Sequence, residues 1–300
     1  RSPPHGHDRE ESFYAVMAGC ALHPAPQVRV ALLAVPTIPS PFTPPMASQW
    51  HNFLRNLGEW RGSFTTIGAD GMVRGSSPSV LTLVSDDDER LVHFRLQRWP
   101  VGTAMAAGGG PVEGAGEPQS VRQQQYRTLG RQVVFFDSGA FNKGSLQVAP
   151  NTAFGGEFGF IGADRRHRLV QLYDEAGSFE QLVLIREFRA GSGAAQRPHT
   201  SPEHLLGTWS GQAATISADW PEPDLAAYRL ELGTAEVAGL RLLPDGGFCR
   251  LPEKVSHREA FALEGGWLPA PGRMERLIRL YDATGAWISA RHEVLSRSAA

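Results

Sequence analysis

Hydrophobic and polar residues alternate with a period of two along most of this chain, and a helical period breaks in only twice. Between Ser48 and Leu57, residues Trp50, Phe53, Leu54 and Leu57 fall at i, i+3, i+4 and i+7, the spacing of one apolar helix face, with Ser48 placed to cap it. A shorter equivalent follows later, in which Ser201 caps, Pro202 takes the first helical position and Leu205-Leu206 supplies the apolar contact. After the first helix, runs rich in β-branched and aromatic residues predict strands over 60–67, 80–84, 91–96, 124–129, 132–136, 145–148, 157–161, 168–173 and 179–188. After the second they predict strands over 208–216, 228–232, 237–243, 247–251, 260–263, 277–281 and 287–295. Turns such as Ala69-Asp70-Gly71 and Asp174-Glu175-Ala176-Gly177 tolerate left-handed backbone, so most connections read as hairpins of an antiparallel meander. Eight or nine strands at this spacing suggest a closed barrel.

The two halves are copies. Gly58-Glu59-Trp60-Arg61-Gly62 recurs as Gly207-Thr208-Trp209-Ser210-Gly211, and Arg168-Leu169-Val170-Gln171-Leu172-Tyr173-Asp174-Glu175-Ala176-Gly177 recurs as Arg276-Leu277-Ile278-Arg279-Leu280-Tyr281-Asp282-Ala283-Thr284-Gly285. The order G-x-W-x-G, then R-L-[VI]-x-L-Y-D-x-x-G, twice over, marks a duplicated domain. The first pair of motifs is offset by 149 residues and the second by 108, so the later copy is 41 residues shorter between them. The Gly-rich run 101–120 accounts for about half of that difference and reads as a mobile loop at one mouth of the first barrel. The expected organisation is a disordered leader or upstream read-through over 1–45, a barrel over 46–190, a linker over 191–200 and a shorter barrel over 201–300. Residues 1–45 hold nine of the 22 prolines and no sustained period, and Met46 is the expected true start, with a cleaved targeting peptide as the rival reading.

Composition narrows the function classes. A chain of 300 residues with 41% hydrophobic and 20% charged residues, 33 Gly and 22 Pro fits a soluble all-β protein of two domains. The formal net charge of -2, with Lys and Arg scattered, disfavours nucleic acid and acidic lipid as partners. Cys20 and Cys249 alone build neither a disulfide framework nor a zinc site, which favours a reducing compartment. The longest apolar run, from Val28 to Pro36 and broken by Arg29, is far short of the roughly 20 residues that span a bilayer, so no membrane insertion is expected.

Candidate chemistry is sparse. His257 and His292 have no partner at ligand spacing, Gly108–Gly114 lacks the Lys-Ser/Thr of a phosphate loop, and Cys249 has no evident His partner. No metal, cofactor or catalytic residue is therefore expected, and the protein reads as a non-enzyme. Trp60 and Trp209 admit two readings: a large aromatic closing the barrel end beneath a last-strand guanidinium, Arg186 or Arg291, or the wall of a pocket for a hydrophobic or tetrapyrrole-like ligand. Tyr173-Asp174 and Tyr281-Asp282 read as a half-buried strand residue followed by a turn initiator. Arg186-Glu187 and Arg291-His292-Glu293 alternate faces on the last strands. Phe135-Phe136, Phe141, Phe154, Phe158 and Phe160 crowd the first copy, and Trp220, Trp267 and Trp287 the second. Adjacent residues such as Phe135 and Phe136 point to opposite faces, so one of them lies outside the barrel, covered by the other barrel or by the N-terminal helix, or open to a partner. The binding candidates are thus Trp60, Phe136, Phe141, Phe158, Arg186, Trp209, Trp267, Trp287 and Arg291.

The stretch W-x-x-F-L-x-N-L-G-E-W-x-G-S-F from Trp50 to Phe64, followed by Pro78-Ser79 and the paired L-Y-D-x-x-G segments, resembles a lipocalin-like family of cyanobacteria and plastids. The resemblance covers about Ala47 to Arg297 and implies two tandem antiparallel calycin-type barrels, each preceded by a short helix. Because the plant member of that family is a biogenesis factor for the catalytic head of the chloroplast ATP synthase, it also implies a non-enzymatic assembly factor whose partners are head subunits. The matching location is the cytoplasm of a cyanobacterium-like bacterium, with the plastid stroma in plant relatives. The alternative is a lipocalin-type binder of a small hydrophobic ligand or bilin, including a role like that of the chromophore lyases, because a barrel of about eight strands holds one small ligand or is filled by its own side chains.

Overall fold

The computed structural model describes residues 48–220 and 222–297, so the expected leader and its rival reading lie outside the described residues. The first copy forms nine strands: β1 (Gly58–Gly68), β2 (Val73–Ser85), β3 (Val92–Arg98), β4 (Ser120–Tyr126), β5 (Val133–Phe135), β6 (Phe141–Gly144), β7 (Phe154–Ile161), β8 (Arg165–Tyr173) and β9 (Phe179–Arg189). They make one antiparallel sheet in the order β4-β3-β2-β1-β9-β8-β7-β6-β5. The pairing of β1 with β9 joins the two halves of the meander, and the remaining seam lies between β4 and β5, which are not hydrogen-bonded to each other.

The helix α1 (Gln49–Leu54) spans that seam. Ser48 caps it by accepting from the His51 amide, as its sequence position predicts. The Gln49 side chain then mimics a strand neighbour: its amide nitrogen donates to the Phe135 carbonyl at 2.9 Å and its oxygen accepts from the Phe135 amide at 2.7 Å. Phe53 lies 5.7 Å from Tyr126 of β4 and 5.2 Å from Phe135 of β5, so one aromatic ring touches both free ends of the sheet. An exposed edge becomes a covered one.

The second copy has β10 (Gly207–Ser217), β11 (Asp224–Leu232), β12 (Arg241–Leu242), β13 (Gly247–Arg250), β14 (Phe261–Ala270), β15 (Arg273–Tyr281) and β16 (Trp287–Arg297), in the order β11-β10-β16-β15-β14-β13-β12. Leu230 faces Trp209 across this ladder as Leu81 faces Trp60, which makes β11 the counterpart of β2. Among the described residues nothing in the second sheet corresponds to β3 and β4, so this copy is a half-barrel. The missing residues lie where the two motif offsets diverge.

Three expected elements differ. Residues 145–148 were expected to continue the first sheet, but the strand is Phe141–Gly144, and Leu146 and Val148 instead bond across to the other copy. Of the strand expected over 237–243 only Arg241–Leu242 forms, as β12, while Val237 and Ala238 end the helix α2 (Thr234–Ala238), where the Glu236 carboxylate accepts from the Gly233 amide at the N-terminus and Val237 packs with Leu232. The Gly-rich run 101–120, expected to be mobile, folds back over β1: Gly110 donates to the Gly62 carbonyl, and the Trp99 indole donates to the Gly116 carbonyl at 2.8 Å.

Both G-x-W-x-G motifs do the same work. The first glycine, Gly58 or Gly207, adopts φ of 131° or 109°, and the indoles of the fully buried Trp60 and Trp209 donate to the Asn56 and Leu205 carbonyls at 3.0 and 2.8 Å. At the second glycine a Cβ would lie 2.0 Å from the Arg186 carbonyl oxygen (Gly62) or 2.1 Å from that of Val294 (Gly211). The guanidiniums over the rings are Arg189, at 4.2 Å, and Arg297, at 4.8 Å, not Arg186 and Arg291. Register decides this, since Trp60 pairs with Arg189 and Trp209 with Arg297. Arg189 also donates to the Leu57 and Ala163 carbonyls, and Arg297 to those of Glu203 and His204, tying last strand to helix end.

Candidate functional site

The outer faces of the two copies are pressed together, and most of the singled-out aromatics lie between them. Phe136, Phe154, Phe158, Phe160, Leu169 and Tyr173 of the first copy share one buried cluster with Leu263, Trp267, Leu277, Tyr281 and Trp287 of the second. Each such side chain contributes about 1.5–3 kcal/mol when fully buried. Phe135 points inward to the α1 cluster and Phe136 outward onto His292, 5.1 Å away, as the alternation of strand faces requires.

This interface is a pseudo-two-fold one. Phe154 meets its own counterpart Phe261 at 5.7 Å, and Phe160 meets Trp267 at 6.2 Å. Phe158 fills the space above Gly265, where a Cβ would lie 2.9 Å away, while Leu263 fills that above Gly156. The D-x-x-G turns clasp reciprocally: the Val148 amide donates to the Gly285 carbonyl and the Val255 amide to that of Gly177, while Trp287 donates to Leu146 and Phe179 to Glu253. Asp174 and Asp282 shape the turns by accepting two backbone amides each. The same patch on each copy meets the same patch on the other, the arrangement expected of an isologous dimer.

At the variable position of R-L-[VI]-x-L-Y, Gln171 and Arg279 reach across. The Gln171 amide nitrogen donates to the Glu264 carbonyl at 2.7 Å and to that of Arg250 at 3.3 Å. Arg279, fully buried, donates to the Tyr281 hydroxyl at 2.8 Å, Asn142 Oδ1 at 3.2 Å, and the Gly144 and Ser145 carbonyls, and stacks 4.3 Å from Trp287. Burial pulls the Arg279 pKa down while the Tyr281 hydroxyl supports its charge. Asp245, also fully buried, joins three segments: its carboxylate accepts from Arg165 at 2.9 Å and from Arg197 of the linker at 3.0 Å, and its carbonyl from the Trp267 indole at 3.0 Å. None of Gln171, Arg279 and Asp245 is singled out by the sequence. The signal available was the mismatch of Gln171 with Arg279 inside an otherwise repeated motif.

The barrel interiors hold paired charges. In the first, Arg168 donates to Glu157 at 2.8 Å and to both oxygens of Glu187, while Arg166 lies 3.6 Å from Glu187 and 5.3 Å from the Trp60 ring. Burial pushes Arg166 down to about 10. In the second, Arg276, the counterpart of Arg168, bonds Glu264 at 3.0 Å and Glu293 at 2.6 Å. Arg291 lies 3.0 Å from Glu293 and 4.1 Å from the Tyr228 ring, and Arg186 bonds Gln196 of the linker. Phe141 lies inside the first barrel against Gly159. Of the nine binding candidates, Phe136, Phe158, Trp267 and Trp287 therefore converge between the copies, whereas Trp60, Phe141, Trp209 and Arg291 lie within a barrel and Arg186 borders the linker. Cys249 is buried between the copies and its thiol is pushed up to about 12. A cleft of about 370 Å³ lies outside the barrels, between the Gly-rich run and residues 190–194.

Residues 46–192 match the N-terminal domain of the family of unknown function DUF3598, and residues 233–295 match the C-terminal domain of Biogenesis factor required for ATP synthase 1. A crystal structure of a DUF3598 protein of unknown function from Nostoc punctiforme is 32% identical, covers 84% of this chain and 100% of its own, and superposes with a TM-score of 0.73. The chain belongs to the DUF3598 family. The S-type phycobiliprotein lyase CPES from Guillardia theta matches 47% of this DUF3598 chain and 91% of its own at 14% identity and a TM-score of 0.30, a likeness that carries no argument. No curated protein matches this DUF3598 sequence. Among its described residues no helix is long and apolar enough to cross a membrane.

Proposed function

We propose that this DUF3598 protein is a non-enzymatic assembly factor that holds subunits of the catalytic head of an ATP synthase while the head is built, in the cytoplasm of a cyanobacterium-like bacterium. The match of residues 233–295 to an ATP synthase biogenesis factor domain carries the reading. The packing agrees with a scaffold. Trp60, Phe135 and Phe141 occupy the first interior together with the Arg168 network, Trp209 and Phe248 occupy the second, and the facing sides of the copies are spent on each other. What remains for a partner is the outer surface of a body braced at Asp245 and Arg279. The same filling counts against a lipocalin-type carrier of a hydrophobic ligand or bilin. The test is capture of purified head subunits by the intact protein, with ATP synthase levels followed in a deletion strain. Enrichment of a head subunit with loss of assembled enzyme is expected; normal enzyme levels and no captured subunit would overturn the proposal.

A further inference from the structure

The half-barrel leaves a strand edge open. In the first copy β2 is covered by β3 in continuous register, with Phe94 opposite Leu83 and Leu96 opposite Leu81. The counterpart β11 pairs only with β10 among the described residues, and its sequence Asp224-Leu225-Ala226-Ala227-Tyr228-Arg229-Leu230-Glu231-Leu232 carries exposed charges at Asp224, Arg229 and Glu231 but none over Leu225–Tyr228, and no Pro, Lys or bulge. Those are the devices by which natural sheets guard their edges. The helix α2 covers only the end at Leu232, which packs with Val237. Asp224 to Ala227 are exposed although successive residues point to opposite faces, so both faces of the strand are open. Leu225 is 56% exposed, and Trp220, in the loop that leads into β11, is 62% exposed.

We propose that the β11 edge is a strand-addition site that takes an extended segment of a partner polypeptide, with apolar residues at alternate positions facing Tyr228 and Leu230. The occupant's chemistry is set by the first copy, where Val92–Arg98 fills the equivalent place with Phe94 and Leu96 inward and His93, Arg95 and Gln97 outward. Trp220 and Leu225 give the incoming strand an apolar rim. The proposal rests on the assembly-factor reading only for the identity of the partner.

The test is hydrogen exchange on the full chain, with a synthetic peptide of the Leu91–Trp99 sequence as probe. In the free protein, alternate amides of β11 donate to β10 and exchange slowly, and the intervening ones exchange fast. Saturating peptide is expected to slow the fast set by at least about tenfold. Proline at whichever of Ala226 and Ala227 carries a fast amide is expected to abolish that protection while the protein stays folded, since a proline there removes no ladder bond. Unchanged exchange under saturating peptide overturns the proposal. Protection that rises with protein concentration alone overturns it in favour of a second copy, and fast-set amides already protected in the dilute free chain overturn it in favour of an undescribed segment of the chain itself. Because no head subunit enters the experiment, its failure is separable from failure of the assembly-factor reading.

Discussion

Arg279→Ala removes a guanidinium that is fully buried and crosses from the second copy to the first. Its hydrogen bonds to Asn142 Oδ1 and to the Gly144 and Ser145 carbonyls lie at 3.2, 3.2 and 3.4 Å, so these are weaker than the 2.8 Å bond to the Tyr281 hydroxyl. Truncation takes the guanidinium donor from Asn142 Oδ1 and the Gly144 carbonyl, at about 1–3 kcal/mol each, while the Ser145 carbonyl keeps the Tyr281 hydroxyl, and it opens a void beside Trp287. Burial of a cation without a carboxylate partner has itself been costing stability, which offsets part of the loss. The net destabilisation is about 3–5 kcal/mol, on the order of 10 °C in Tm for a protein of this size. Arg279→Gln, which installs the side chain that Gln171 provides in the first copy, is expected to recover about half of that loss. Urea unfolding followed by tryptophan fluorescence at pH 7.5 measures both variants. A loss below about 1 kcal/mol for Arg279→Ala, or no recovery by Arg279→Gln, would refute the claim that this side chain latches the copies together.

Two further outcomes follow from the same packing. Burial, with Arg186 and Arg197 nearby, pushes His167 down to about 3, whereas an unfolded imidazole titrates near 6.5. The unfolded chain therefore binds a proton that the folded one excludes, so this stability is complete above about pH 6.5 and drains as pH falls toward 3, by about 2 kcal/mol between pH 7 and 5. His167→Phe keeps a ring against Trp267 and should flatten that dependence in urea titrations at the two pH values; equal slopes for variant and parent would refute it. Gly62→Ala and Gly211→Ala should each cost more than about 2 kcal/mol, because a Cβ at either site runs into a backbone oxygen, and a pair of thermal melts with one variant near parental would separate the two motifs in role.

The duplicated motifs, the strand period and the Trp of each first strand were legible because each is a local requirement of a sheet. The guanidinium over each Trp was not. Period two says that alternate residues of β9 face inward, but only the register of β1 against β9 brings Arg189, three residues past Arg186, over the ring. Gln171, Arg279 and Asp245 escaped for a different reason. They sit on outward faces and in a turn, where a polar residue ordinarily meets water, and nothing local reports that a second copy covers them. Phe136 and Phe158 were recognisable as outward or crowded aromatics, yet what they meet is set by residues more than a hundred positions away. The half-barrel was visible only as a length difference, since a missing strand leaves no pattern to read.

The contacts on the pseudo-two-fold are unequal in size: Phe158 stands where its counterpart is Gly265, and Leu263 where its counterpart is Gly156. Two first copies brought together in this way would set one phenylalanine against another, and two second copies would set leucine against leucine and leave a gap where the glycines met. Heterotypic pairing alone fills the space. An ancestral dimer of identical subunits that acquired these substitutions could not return to self-pairing, and exchange of barrels between neighbouring chains still yields only first-with-second pairs. Four positions thus specify first-with-second pairing over self-pairing, and the flank where β3 and β4 have no counterpart takes no part in that choice.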